Sequence, residues 1–163
     1  MELKRGLDPR KIFVGLYVLA FAVYLVIGLQ PAEATNYAVS AELNIPMIGL
    51  NADVTTLELG PDGLETPDSI VGSYSQANNK TLLIGHSTTV FAALNQVQLG
   101  ETLKYNDTNY RVAAIDMMPK SEIDMNKVLS GADKDTIIIM TCAGQLLDDG
   151  NATHRLLVTA VDN

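Results

Sequence analysis

The chain has one cysteine, Cys142, closing the apolar run Thr136-Ile137-Ile138-Ile139-Met140-Thr141-Cys142. Thirteen residues later Arg155 opens a second such run, Arg155-Leu156-Leu157-Val158-Thr159-Ala160. Fifty-six residues before the cysteine stands His86, in Leu82-Leu83-Ile84-Gly85-His86-Ser87. A thiol, an imidazole and a guanidinium at the ends of strand-like runs are the parts of a cysteine acyl-transfer site. The thiolate is the nucleophile, and at an unperturbed pKa near 8.5 only about 3% of a cysteine is ionised at pH 7. A neighbouring imidazole or guanidinium favours ionisation. The imidazole can also protonate a leaving amine and later deprotonate an incoming one. An arginine, always charged and with a forked set of donors, suits the oxyanion that forms when an amide carbonyl is attacked.

The chain has two histidines, so the base is chosen between them. In a strand through residues 154 and 155, neighbouring side chains point to opposite faces, which separates His154 from Arg155. His86 follows a strand-like run and precedes the polar Ser87-Thr88-Thr89, as expected of a residue at a strand end facing a cleft. His86 is therefore favoured, and His154 reads as a surface histidine. The competing reading of Cys142 is a buried, inert small hydrophobe. Against it, a lone thiol outside the cell is an oxidation liability unless it has a use.

Other chemistries fit poorly. One Cys and two dispersed His do not make a zinc set, so no metal is expected. Glycine-rich phosphate loops are absent. Glu58, Asp62, Glu65 and Asp68 could contribute to a calcium site, but their spacing matches no EF-hand loop, and no cofactor is expected.

Residues 12–30, IFVGLYVLAFAVYLVIGLQ, carry no charge. As a helix they would span roughly 28 Å, about the hydrocarbon thickness of a bilayer. Lys4, Arg5, Arg10 and Lys11 precede them, and no base follows until Lys80. That asymmetry predicts a single-pass transmembrane anchor with residues 1–11 as a cytoplasmic tail, residues 31–37 as a linker and residues 38–163 outside the cell. The alternative is a cleaved signal peptide, for which the apolar run is long. The net charge is −8, with four bases against two acids in residues 1–11 and seven against seventeen in the rest. An acidic outer domain argues against nucleic-acid binding. With no disulfide available, it must be held by its core, which a domain of this size can supply.

From Asn36 onward the pattern is that of a β protein. Strands are expected at Tyr37–Leu43, Ile45–Leu50, Val54–Leu59, Thr81–Gly85, Thr102–Tyr105, Tyr110–Met117, Thr136–Thr141 and Arg155–Val161, separated by Gly-, Pro-, Asn- and Asp-rich turns. Tyr105–Tyr110 reads as a tight hairpin. Short helical stretches are expected at Phe91–Val97 and at Asp124–Leu129, with Asp124 as a cap. Eight short strands with few helices argue for a closed barrel or a sandwich.

At these residues the chain resembles the sortases, membrane-anchored cysteine transpeptidases. The family signature TLxTC corresponds to Ile138-Ile139-Met140-Thr141-Cys142, with isoleucines in place of the first Thr and the Leu. The family's GH histidine matches Gly85-His86, and its essential arginine, about a dozen residues after the cysteine, matches Arg155. Ile45-Pro46-Met47-Ile48-Gly49 and Leu99-Gly100-Glu101 agree more weakly. The resemblance implies a closed eight-stranded β-barrel with short helices behind an N-terminal transmembrane helix. It also implies cleavage of an LPxTG-like C-terminal sorting signal through an acyl-thioester on Cys142, resolved by an amine, usually on a peptidoglycan precursor. His86, Cys142 and Arg155 would be catalytic, with Thr141, Ser87 and Gln145 contacting substrate. The absence of a lid segment and of a second apolar span disfavours a pilus-polymerising subclass. Two alternatives stay open: a peptidase in which water resolves the thioester, and an inactive tethered β-domain that binds a partner.

Overall fold

A computed structural model describes residues 37–61, 63–76, 79–148 and 151–162. The expected tail and anchor, and the linker up to residue 36, lie outside the described residues. Among the described residues no helix is long and apolar enough to cross a membrane. Eight strands form the domain: β1 Val39–Ile45, β2 Leu50–Thr56, β3 Val71–Tyr74, β4 Lys80–Ile84, β5 Thr102–Tyr105, β6 Thr108–Pro119, β7 Thr136–Leu146 and β8 Ala152–Asp162. They close into a barrel in the order β1-β2-β3-β4-β7-β8-β6-β5. Closure leaves no unpaired edge to recruit another chain. Pairing is antiparallel except at β2–β3 and β4–β7, which run parallel.

Those two parallel pairs explain the two long connections. Parallel neighbours need a crossover rather than a hairpin. Residues 57–70 make one crossover, and the stretch from Gly85 to Asp135, which includes β5 and β6, makes the other. Part of each crossover covers the outside of the barrel. There Leu57 and Leu64 from the first, and Ile123, Val128 and Leu129 from the second, pack on Leu82, Ile84, Ile138 and Leu157. The inner faces of the same strands present Leu83, Ile137, Ile139 and Val158 to a core that includes Leu43, Val54, Val71, Phe91 and Leu103. Strands buried on both faces read as unbroken apolar runs, hence Leu82-Leu83-Ile84 and Ile137-Ile138-Ile139.

Some boundaries differ from the sequence expectation. The strand expected at Ile45–Leu50 is split by a 3-10 turn at Pro46–Ile48, because Pro46 cannot donate to a ladder and Gly49 takes a left-handed φ of 63°. Strand β3 was not expected. Its four residues, Val-Gly-Ser-Tyr, show no alternation, yet Gly72 and Ser73 are buried. A side chain at Gly72 would collide with Leu57 and come within 3.1 Å of Pro67 Cδ, so the first crossover lies directly on this strand. The helix expected at Phe91–Val97 is only turns and a short 3-10 segment at Leu94–Gln96, with Phe91 and Leu94 plugging the core.

Three local devices set the rest. In the β5–β6 hairpin Asn106 adopts a φ of 52°. Its side-chain oxygen accepts from Glu42 N, and its own N–H donates to Glu42 O, which pins the turn to β1. Among the described residues the one α-helix is α1 Met125–Leu129, capped as expected by Asp124, which accepts from Asn126 N and Lys127 N. The parallel pair β4–β7 is extended beyond its ladder by a buried bond, Thr141 Oγ1 donating to Gly85 O at 2.7 Å.

Replacing Thr141 by Val keeps the shape and removes that donor. The Thr141→Val variant is expected to lose about 1–3 kcal/mol of stability, read as a lower denaturation midpoint with unchanged m-value. Burial, opposed in part by a bond to Ser73, pushes the Tyr105 phenol above its usual 10.0. Burial, helped by Asp135 and Asp162, does the same to Tyr110. An unfolded chain therefore ionises these phenols first. Stability is fully present below about pH 10 and falls as pH rises through the folded values. Denaturant midpoints at about pH 9 and about pH 11.5 should show this fall, and a Tyr105→Phe/Tyr110→Phe double variant should show a shallower one.

Candidate active site

The antiparallel register of β7 and β8 sets Cys142 directly opposite Arg155. Opposed residues share a face, with Cβ atoms about 5 Å apart. That face is the outer one, since Ile138 and Leu157 on the same alternation lie in the outer cluster while Ile139 and Val158 fill the core. On the other side of β7, the parallel register ends with Ile84 opposite Met140. The ladder stops there, and the Thr141–Gly85 bond ties the residue before Cys142 to the residue before His86. Strands β7 and β8 thus supply thiol and guanidinium as an opposed pair on the outside of the barrel, and His86 stands just past the end of the adjacent strand β4.

Each side chain is held locally. Gly85 must be glycine for steric reasons, because a methyl there would stand 2.8 Å from Phe91 Cδ2. The tight packing lets the chain turn at once after β4. His86 O accepts from Thr89 N and Phe91 N, which starts the turn and leaves the imidazole 40% exposed. Cys142 is half-buried and free of any disulfide. Arg155 is half-buried, and its Nη1 donates to Ala152 O at 3.1 Å and His154 O at 3.0 Å. Those bonds fold it along its own strand, and the remaining guanidinium donors can serve an oxyanion or a substrate carbonyl.

His154 lies on the opposite face of β8 from Arg155, paired with Ala143 and Pro119, and its Nδ1 is 2.8 Å from Thr153 Oγ1. Thr141, expected to contact substrate, is buried and its hydroxyl is committed to Gly85 O. Gln145 is exposed, its N–H bound by Thr153 Oγ1, in an irregular stretch where the β7–β8 ladder shifts between Ala143 and Leu146. Gly144 takes a φ of 77° there. Ser87 lines a cavity of about 260 Å³ with Phe91, Asn95, Met117, Cys142 and Gly144. A larger, open, polar depression of about 360 Å³ lies at the far ends of β7 and β8, lined by Asn79, Lys134, Asp135 and Asp162, and contains none of the reactive groups.

One neighbour was not singled out as part of the site. Asp68, in the first crossover, places Oδ1 3.8 Å from His86 Nε2. It is eighteen residues away in a turn-like stretch, and nothing in its spacing signals the contact. Of the calcium candidates, Asp62 lies outside the described residues. Among the described residues no three His, Cys, Asp or Glu side chains converge as a metal site would require.

Residues 43–163 match the family model of the Sortase domain, which is most of the chain. Solved structures with the same fold include a lid mutant of sortase A from Corynebacterium diphtheriae, at 20% identity and a TM-score of 0.58, covering 80% of this chain and 73% of that one. Sortase A from Listeria monocytogenes aligns at 16% identity and a TM-score of 0.60, covering 77% and 88%. Sortase C-3 from Streptococcus pneumoniae aligns at 20% identity and a TM-score of 0.54, covering 83% and 71%. No curated protein matches the sequence. Both sortase A and sortase C relatives share this barrel, so the fold does not assign a subclass. With a family match spanning nearly the whole barrel, the chain belongs to the sortase family, the cysteine transpeptidases.

Proposed function

We propose that this protein cleaves an LPxTG-like sorting signal between Thr and Gly and transfers the acyl part to an amine, with Cys142, His86 and Arg155 as the catalytic groups. The single observation that carries the reading is the direct cross-strand pairing of Cys142 with Arg155, next to the parallel strand after which His86 follows. The Cys142 thiolate attacks the threonine carbonyl carbon, and Arg155 stabilises the oxyanion. The C–N bond breaks, and the leaving amine takes its proton from the His86 imidazolium, leaving a thioester and a neutral imidazole. An incoming amine attacks the thioester carbonyl and gives its proton to His86. The C–S bond then breaks, restoring thiolate and imidazolium. Every bond and proton is returned, so the cycle needs no cofactor.

The outer apolar surface, where Ile123, Val128 and Met140 pack on Ile84, Ile138 and their neighbours, suits the leucine and proline of such a signal. The cavity beyond Cys142 offers the acceptor an approach from the other side of the thiol. The charge asymmetry around residues 12–30 supports an anchored enzyme with its barrel outside the cell, where the acceptor amine of a peptidoglycan precursor would be met. Substrates would then be proteins carrying a C-terminal sorting signal.

The test is incubation of the full-length protein with a sorting-signal peptide and a panel of amines, read by product mass. A transfer product is expected, absent from Cys142→Ala. Arg155→Lys keeps the charge and loses the fork, and should cost about 100-fold or more in kcat/KM. A product lighter than the amide and equal to the free acid, with amine in excess, would replace transfer by hydrolysis. No turnover of any signal peptide would sink the reading.

A further inference from the structure

We propose that Asp68 is a positioning residue for His86, binding its Nε2 side so that Nδ1 is the nitrogen that exchanges protons during acyl transfer; this rests on the function proposed above. Asp68 Oδ1 stands 3.8 Å from His86 Nε2, in ion-pair range and one small side-chain movement from a hydrogen bond. The carboxylate is fully exposed, so the pair does little for folding. The backbone beneath it is nonetheless fixed on both sides. Pro67 is buried against Gly72 of β3, and Asp68 O accepts from Thr89 Oγ1 at 2.8 Å. Thr89 N in turn donates to His86 O. The first crossover is thereby stitched to the turn that carries the histidine, and the stitch presents a carboxylate to the imidazole.

The chemistry explains what such a carboxylate does. His86 must shuttle a proton in each half-reaction, and a half-exposed imidazole can rotate or hold its proton on either nitrogen. A carboxylate on Nε2 favours the Nε2–H tautomer in the neutral ring and stabilises the imidazolium that forms when the acceptor is deprotonated. This is the division of labour by which a carboxylate orients a catalytic histidine in a triad. Few other charged groups reach the ring's surroundings. Residues 87–97 of the following turn carry none. Cys142 lies on the adjacent strand β7, with Arg155 opposite it on β8. On the second crossover, α1 and its cap bring Lys127 and Asp124 toward β4, where Lys80 Nζ binds Lys127 O.

The experiment compares wild type, Asp68→Asn and Asp68→Glu in the full-length protein. Peptide transfer to an amine is followed across pH, alongside nitrogen NMR of the His86 ring. Asp68→Asn should lower kcat about two- to fivefold, the size of an exposed ion pair, with KM unchanged and the kcat–pH profile displaced. Asp68→Glu should recover most of the rate. At a pH high enough to neutralise the ring, its proton should lie mainly on Nε2 in wild type and be shared between the two nitrogens in Asp68→Asn. Unchanged kcat and pH profile, or a change confined to KM, would overturn the proposal. If no signal peptide is turned over even by wild type, the functional reading fails and the tautomer comparison still decides for or against Asp68. A thermal midpoint equal to wild type confirms that the exposed substitution leaves the fold intact.

Discussion

The parallel pairing of β4 with β7 is the constraint on which the rest depends. It runs Lys80–Ile84 alongside Thr136–Met140 and is prolonged by the buried bond from Thr141 Oγ1 to Gly85 O. A parallel pair cannot be closed by a hairpin, so the chain must leave the sheet and come back. That need produces the long crossover carrying β5, β6 and α1, which covers the outer face of the two strands. The same pairing fixes the level at which the chain leaves β4, and so fixes His86 relative to a cysteine fifty-six residues away. Packing, cover and site geometry therefore share one origin. The Thr141 hydroxyl matters because it joins the residue before Cys142 to the residue before His86.

How much of this could be read in advance depended on what makes each element. Strands β4, β7 and β8 were legible because they are buried on one or both faces and so are written in Leu, Ile and Val. Strand β3 was not. Its neighbours bury it, and its residues are chosen for closeness rather than for apolar pattern, with Gly72 under Leu57 and Ser73 Oγ donating to Thr55 O. Ile45–Leu50 looked like one strand because its apolar residues mask the stop set by Pro46. Phe91–Val97 looked helical because Phe91 and Leu94 must both point into the core, which a 3-10 turn achieves equally well.

The same distinction applies to the site. Cys142 and Arg155 could be singled out by residue type at the ends of apolar runs, and the register then made them a pair. His86 was legible partly by elimination between two histidines. Asp68 was not, since its contact depends on where an irregular crossover lands, and no periodicity encodes that. Crossover residues are positioned by single anchors, here Pro67 on Gly72 and Thr89 on the Asp68 carbonyl, and such anchors are invisible until the neighbouring strand is in place.

The β7–β8 ladder itself shows how a rigid pair and an adaptable mouth coexist. Regular pairing persists through Cys142–Arg155 and Ala143–His154 and then shifts before Leu146. The proposed nucleophile thus sits one pair inside the break. Ladder bonds below it hold its backbone, while the irregular stretch above, with Gly144 left-handed and Gln145 tied to Thr153, is free to differ in shape without disturbing the pair. Irregularities of this kind next to reactive residues re-aim side chains at low cost to the sheet. Arg155 belongs to both regimes: its Cα is locked opposite Cys142, but Nη1 binds the Ala152 and His154 carbonyls on the β8 side of the break. The guanidinium is consequently coupled to the conformation of the mouth. A change in the β7–β8 loop would reach the Arg155 guanidinium before it moved the thiol.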